Sequence, residues 1–169
     1  MSCAGDATGR QPFSLRLATA DDAVAISSVL HEAFREYRRL YTDGGFAATA
    51  LSPELVQARM AEGPIWVVIR HNMVVASAAA VVKGPDLYIR GMAVLPSARG
   101  FRIGESLLRT IETLAEREGY RRLFLSTTPF LDRAIRLYEK FGFKRTDEGM
   151  HDLFGTPLFT MEKTLVRQD

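Results

Sequence analysis

The stretch from Leu87 to Gly119 constrains the fold most, because it predicts a strand, a glycine-bearing turn and a helix in immediate succession. Apolar and β-branched residues lead into Val94, and Pro96 then ends the strand because proline cannot donate to a sheet ladder. Gly119 supplies the stop signal of the helix. Beyond the turn, apolar residues recur at the spacing of one helical face: Ile103, Leu107, Leu108, Ile111, Leu114 and Ala115.

The turn between the predicted strand and helix, Arg99–Gly104, has the features of an anion site. A strand, a short glycine turn and a helix direct free backbone N–H groups and the positive end of the helix dipole toward one point. Arg99 and Arg102 add positive charge there. The spacing matches neither the P-loop nor the dinucleotide fingerprint. The turn therefore predicts a phosphate-bearing ligand of another class.

Two segments of this region resemble the GNAT superfamily of N-acetyltransferases. The run V-L-P-S-A-R-G-F-R-I-G, residues 94–104, is similar to the acyl-CoA-binding motif of that family. The run A-I-R-L-Y-E-K-F-G-F, residues 134–143, looks like the family's helix and following strand, with the family's tyrosine at Tyr138. The region that contains both covers about a third of the chain, and the segments lie in the family's order.

The resemblance implies an α/β fold in which helices flank a central, mixed and mostly antiparallel sheet. It also implies an acetyl-CoA-dependent N-acetyltransferase that transfers the acetyl group directly to a primary amine of a small molecule or peptide. Two other functions remain open. A non-catalytic acyl-CoA-binding module would have the same fold, and a plain phosphate or nucleotide binder would need only the Arg99–Gly104 turn.

The resemblance assigns roles to individual residues. Tyr138 is expected to protonate the leaving thiolate, although its place on an apolar stripe is also typical of a core tyrosine. The thioester and the pantetheine arm are expected along the strand end formed by Met92, Ala93 and Val94. The pyrophosphate is expected at six residues of the turn: Arg99, Gly100, Phe101, Arg102, Ile103 and Gly104.

Two residues depart from the family pattern. Arg102 occupies a position that is often glycine in the family. This difference should have little effect on ligand binding, because the backbone N–H at this position makes the contact with the ligand. Leu131 stands where the family often has an asparagine that touches the pantetheine arm. That contact is therefore expected from Asp132 or Thr128 instead.

The segment between the first two predicted helices forms a wall of the acceptor pocket in the family. By that resemblance, acceptor contacts are expected from Tyr37, Tyr41, Asp43, Phe46 and, on the motif strand, Tyr88. The alternative interpretation is that Tyr37 belongs to the core and that Tyr41 anchors a loop.

The sequence does not identify a general base. Some relatives use a glutamate on the motif strand, in the stretch where this chain has Tyr88. The remaining candidates are Asp86, Glu36, His31 and His151. A chain of water molecules without a dedicated base is equally compatible.

Composition narrows the class of protein. The formal net charge of +2 argues against nucleic acid or an anionic membrane as the partner. The single cysteine, Cys3, cannot form an intramolecular disulfide and fits a reducing compartment. No spanning helix, secretory signal or metal-ligand spacing is visible. We therefore expect a cytoplasmic protein without a metal site. A homodimer is one expected assembly, because dimers are common among relatives.

The remaining pattern predicts one domain over residues 13–169 after a disordered leader over residues 1–12. Phe13–Leu17 predicts a short strand, and Thr19 opens a helix whose apolar stripe includes Val24. Gly44–Gly45 predicts a loop.

The rest of the sheet follows from turn signals. A tight turn at His71–Asn72 predicts a hairpin between two apolar strands. Gly91 indicates either a bulge in the motif strand or a glycine required by close packing. The segment Gly119–Ser126 predicts a strand parallel to the motif strand, because a helix connects the two. Pro157–Leu165 predicts a final strand.

Overall fold

The chain folds into eight strands and five α-helices within residues 12–166, which are the residues that the structure, a computed structural model, describes. The strands are β1 (Ser14–Leu17), β2 (Ile65–Arg70), β3 (Met73–Lys83), β4 (Asp86–Val94), β5 (Arg122–Thr127), β6 (Lys144–Arg145), β7 (His151–Leu153) and β8 (Thr156–Thr164). The helices are α1 (Ala23–Phe34), α2 (Asp43–Thr49), α3 (Pro53–Met60), α4 (Ile103–Glu118) and α5 (Asp132–Lys140).

The strands form one mixed sheet in the order β1-β2-β3-β4-β5-β8-β6, and β7 pairs with β8. Only β4 and β5 run parallel among these pairs, and α4 makes the crossover between them. The hairpin between β2 and β3 turns at His71 and Asn72, which both have positive φ as a two-residue hairpin turn requires. The predicted fold class, hairpin and parallel crossover are thus confirmed.

Two hydrophobic cores cover the two faces of the sheet. Because side chains alternate along a strand, Trp66 and Val68 point to one face of β2 while Ile65 and Val67 point to the other. The first face packs against α4 and α5, and the second packs against α1 and α3. The sheet is therefore enclosed between two layers of helices.

The predicted loop at Gly44–Gly45 is wrong, since these residues lie in α2. Thr42 caps this helix by accepting a hydrogen bond from the Gly45 N–H at 3.0 Å. A Cβ on Gly45 would lie 2.2 Å from Thr156 Oγ1, and one on Gly44 would lie 2.7 Å from Phe154 Cβ. The glycines therefore allow α2 to approach the hairpin of β7 and β8, a contact that local sequence cannot reveal.

Two smaller expectations also fail. Val24 does not belong to the buried stripe of α1 but is 69% exposed, and Ala23 and Ser27 are buried instead. The short strand β7 was not predicted, because its three residues carry no apolar alternation.

Cys3 and nearly all of the predicted leader lie outside residues 12–166. The homodimer and the cytoplasmic location stay predictions. Within residues 12–166, no helix is long and apolar enough to cross a membrane. Nor do three His, Cys, Asp or Glu side chains in this range cluster closely enough to hold a metal ion.

Candidate active site

The parallel strands β4 and β5 separate at their carboxyl ends. Their pairing ends at Ile89 and Leu125. Just beyond, Gly91 has a φ of +63°, and β4 carries one extra residue relative to β3. This bulge, which the sequence predicted, leaves the edge of β4 at Met92–Val94 open toward β5. Backbone groups on that edge are available to a ligand.

A cavity of about 360 Å³, here called the α4 cavity, lies between this edge and the amino-terminal end of α4. It is lined by most of the predicted cofactor residues: Met92, Ala93, Val94, Arg99, Gly100, Arg102, Ile103 and Gly104. Phe101 is not part of the lining. Its ring instead packs against the guanidinium of Arg70, whose Cζ lies 3.9 Å from the ring centre.

The first turn of α4 presents unpaired donors to this cavity. Ser106 donates the first bond of the helix, to the Arg102 carbonyl at 3.1 Å. Within residues 12–166, the N–H groups of Arg102–Glu105 find no backbone acceptor. Arg102 has a left-handed φ of +60°, a conformation that favours glycine and so explains the glycine of the related motif. The predicted anion site thus has the expected backbone geometry.

The charges around the α4 cavity are mostly positive. Arg99 is held by Glu36 at 2.5 Å, so an anionic ligand must compete with that carboxylate. Glu105, the acidic residue in the lining, is paired with Lys140 at 2.8 Å. The hydrogen bond from Lys140 lowers the pKa of Glu105. Arg102 makes no ion pair within the described range, which leaves its charge for a ligand.

A second cavity of about 290 Å³, here called the aromatic cavity, adjoins the first. Tyr37, Tyr41 and Tyr88 line it, as the sequence predicted for an acceptor pocket. Tyr41 is buried edge-on against Phe130, with ring centres 4.9 Å apart. Burial raises the pKa of Tyr41 to about 12, so this hydroxyl stays neutral near pH 7.

Two of the predicted acceptor residues lie behind the wall of the aromatic cavity. The ring of Phe46 packs 6.0 Å from that of Tyr41 and does not belong to the lining. Asp43 is at the start of α2, where it pairs with Arg38 at 2.5 Å. Neither residue lines the cavity, to which α2 contributes Ala48 and Thr49 instead.

Tyr138 lies between the two cavities and lines both of them. Its side chain projects from α5 into the core and is only 7% exposed. The hydroxyl donates to Met92 Sδ at 3.7 Å, a weak bond to the open edge of β4. Burial, helped by Tyr41 and Tyr88, raises its pKa, so the phenol holds its proton. The position of Tyr138 is therefore consistent with both interpretations, a core tyrosine and a site residue.

The end of β5 supplies two buried hydroxyl groups to the aromatic cavity, those of Thr127 and Thr128. The Thr127 hydroxyl has no hydrogen-bond partner within residues 12–166, whereas the Thr128 hydroxyl lies close enough to that of Tyr41 to interact with it. Asp132, by contrast, is exposed and lines neither cavity. Of the two residues expected to replace the missing asparagine, Thr128 lines the aromatic cavity but not the α4 cavity, and Asp132 lines neither.

None of the four candidate bases lines the aromatic cavity. Asp86 is paired with Arg122 at 2.8 Å, and Glu36 is paired with Arg99 in the way described above. His31 is hydrogen-bonded through Nδ1 to the Ser27 carbonyl at 2.8 Å. His151 comes nearest, since its Nε2 lies 3.2 Å from the hydroxyl of Ser126, a lining residue.

Sequence reasoning missed Arg59 of α3, which lines the aromatic cavity. A Cβ on Gly91 would lie 3.3 Å from Arg59 Nη1, so the guanidinium sits against the bulge of β4. Nothing local distinguishes this arginine from others in the chain. Its role depends on the packing of α3 over the sheet.

Comparisons with known proteins agree with this geometry. A sequence model of the acetyltransferase (GNAT) family matches residues 26–143. The chain is 32% identical to the uncharacterized N-acetyltransferase YjgM of Escherichia coli over 138 residues, and this match covers 79% of this chain and 83% of that protein. The chain therefore belongs to the GNAT family of acetyltransferases, as its motifs predicted.

Solved structures show the same fold. The PaiA N-acetyltransferase of Thermoplasma acidophilum, in complex with coenzyme A, matches with a TM-score of 0.78 and 16% identity over 90% of this chain and 99% of that chain. YncA of Salmonella typhimurium, with its cofactor acetyl-CoA, matches with a TM-score of 0.69 and 20% identity over 93% of this chain and 96% of that chain.

Proposed function

We propose that this protein transfers the acetyl group of acetyl-CoA directly to a primary amine of a small molecule or peptide. The observation that carries the proposal is the junction of the two cavities. A cofactor in the α4 cavity and an acceptor in the aromatic cavity would meet at one point, beside the Tyr138 hydroxyl. Six residues line both cavities: Met92, Ala93, Val94, Arg133, Ala134 and Tyr138.

The described residues fit coenzyme A in three places. The unpaired N–H groups at the start of α4, with Arg99 and Arg102, would hold the pyrophosphate. The open edge at Met92–Val94 would pair with the amides of pantetheine as an added strand. The buried hydroxyl of Thr128 lines the aromatic cavity and would contact the cofactor only at its thioester end, where the two cavities meet. Two structural relatives that contain the cofactor support this assignment.

Acetyl-CoA supplies the thioester that a neutral amine attacks, with its thiolate as the leaving group. A backbone N–H of the Met92–Val94 edge would stabilise the negative oxygen that develops during the attack. The Tyr138 phenol, protonated because of its raised pKa, would donate its proton to the sulfur. The amine loses one proton in forming the amide, and that proton restores the phenol by way of solvent.

A dedicated base is not required by this arrangement. Within the described residues, the charged groups that line the aromatic cavity are all cationic: Arg59, Arg90 and Arg133. A nearby positive charge disfavours an ammonium ion and so lowers the pKa of a bound amine. The acceptor would therefore lose its proton to water more readily than it does in bulk solution.

Cofactor binding is testable by thermal unfolding. Acetyl-CoA at about a hundred times its dissociation constant should raise the free energy of unfolding by roughly 2.7 kcal/mol. For a domain of this size, that corresponds to about 5–10 °C in Tm. ATP at the same concentration should shift Tm by less than about 1 °C, because it lacks the pantetheine arm. Equal shifts with both ligands would indicate a nucleotide binder, and no shift with acetyl-CoA would refute the proposal.

A further inference from the structure

Arg59 is a half-buried cation in the wall of the aromatic cavity. It projects from α3 onto the bulge of β4, where its Nη1 lies against Gly91. Within residues 12–166, no carboxylate lies within 4.0 Å of it, and its guanidinium makes no hydrogen bond. A charge removed from water without a partner is costly, so this position suits a residue that receives an anion from a ligand.

The neighbouring groups do not neutralise Arg59. Arg90 on β4 uses Glu62 as its own partner, and its Nε is buried without a hydrogen bond. Burial lowers the pKa of both arginines, and the charge of Arg59 lowers that of Arg90 further. The phenol of Tyr88 is the other group that changes the pKa of Arg59, and it raises that pKa. The cavity wall at this point therefore has an excess of positive charge.

The position of Arg59 relative to the open edge limits the size of the anionic acceptor. Gly91 precedes Met92 directly, and consecutive Cα atoms are about 3.8 Å apart. A carboxylate bound by Arg59 would therefore lie beside the bulge that adjoins the edge at which the amine must attack. Such a short separation fits an amine and a carboxylate carried by one carbon atom.

One part of the aromatic cavity is suited to an apolar side chain. Phe34, Tyr37 and Tyr41 form part of its wall, and Leu153 and Leu158 of the β7–β8 hairpin form another part. Rings and leucine side chains offer dispersion contacts and few hydrogen bonds. An acceptor with one anionic end and one apolar end matches both features.

Building on the proposed function, we propose that the acceptor is a free α-amino acid with an apolar or aromatic side chain, whose carboxylate is bound by Arg59. The guanidinium would form a charge-assisted, bidentate pair with the carboxylate. This pair would place the α-amine at the edge of β4 beside Tyr138. The first residue of a peptide has the same amine but lacks the free carboxylate, so it would bind weakly.

The test compares each amino acid with its own neutral amide. Phenylalanine, tyrosine, leucine and methionine are assayed beside their carboxamides for CoA release, and kcat/KM is measured for each. At least one acid should exceed its amide by about 30-fold or more, which is the lower range for a buried charged pair. Replacing Arg59 with glutamine should remove this advantage, so that each acid reacts no faster than its own amide in the variant.

Controls separate the inference from its parent proposal. Arg117→Gln changes an exposed arginine at the end of α4 and should keep the full preference for the acid. Arg59→Lys keeps the charge and should restore part of the preference, and Tm verifies that each variant is folded. Amides that react as fast as acids would overturn the inference and leave the transferase intact. No turnover with any amine would overturn both.

Discussion

Replacing Tyr138 with phenylalanine should lower kcat by about 10²–10³-fold, which is the range typical of a lost general acid. The KM for acetyl-CoA should change by less than about threefold, since the hydroxyl contributes only a weak bond to Met92. The loss should be nearly constant between about pH 6 and 9, because the raised pKa keeps the phenol protonated throughout. Initial-rate measurements across this pH range test the prediction.

The matched control for this variant is Tyr120→Phe. Tyr120 also packs against the core but lines neither cavity, so the variant should keep full activity. Both variants should keep Tm within about 2 °C of the parent protein, since only one hydroxyl is lost. An unchanged kcat in a folded Tyr138→Phe protein would remove this residue from the mechanism and leave it as a core residue.

Substituting alanine for Gly63 should destabilise the fold by about 3 kcal/mol, the upper part of the range for an overpacked site. The new Cβ would lie 2.1 Å from the backbone oxygen of Ala80, which cannot move without disturbing β3. The adjacent Pro64 carbonyl accepts a hydrogen bond from Ala80 N–H at 3.0 Å and holds the two segments together. Thermal unfolding should show a Tm lower by about 6–12 °C.

Gly149→Ala provides the comparison for Gly63. A Cβ on Gly149 would meet no heavy atom within 4 Å, and its φ is not in the left-handed region. This variant should unfold within about 1 °C of the parent protein. If both alanine variants unfold at the same temperature, the close approach of Gly63 to β3 is not present in the protein.

The cofactor half of the site was predictable because its signals are local. The strand, the turn at Arg99–Gly104 and the helix follow one another in sequence, and each has its own pattern of apolar or capping residues. The bulge at Gly91 could be predicted because a glycine weakens the interior of a strand and often marks a bulge there. Such features depend on short-range geometry, which the sequence records directly.

The acceptor half was predictable only in part, because it depends on contacts between distant segments. The glycines of α2 suggested a loop, yet in the structure they allow the helix to pack closely against the β7–β8 hairpin. This hairpin lies more than a hundred residues later in the chain, and the hydrogen bond from Thr42 N–H to Thr156 Oγ1 joins the two segments. Arg59 gained its position from the packing of α3 over β4. Neither contact leaves a periodic signal in the chain.

The measurement that tests the central claim most directly is the release of CoA thiol from acetyl-CoA with and without an amine acceptor, with the mass of the acceptor as the second readout. The proposed mechanism predicts that thiol release requires the amine and that each thiol released is matched by one acetyl group gained by the acceptor. Tight binding of acetyl-CoA without acceptor-dependent release, over a broad panel of amines, would contradict it. The chain would then be a binding module built on the GNAT fold.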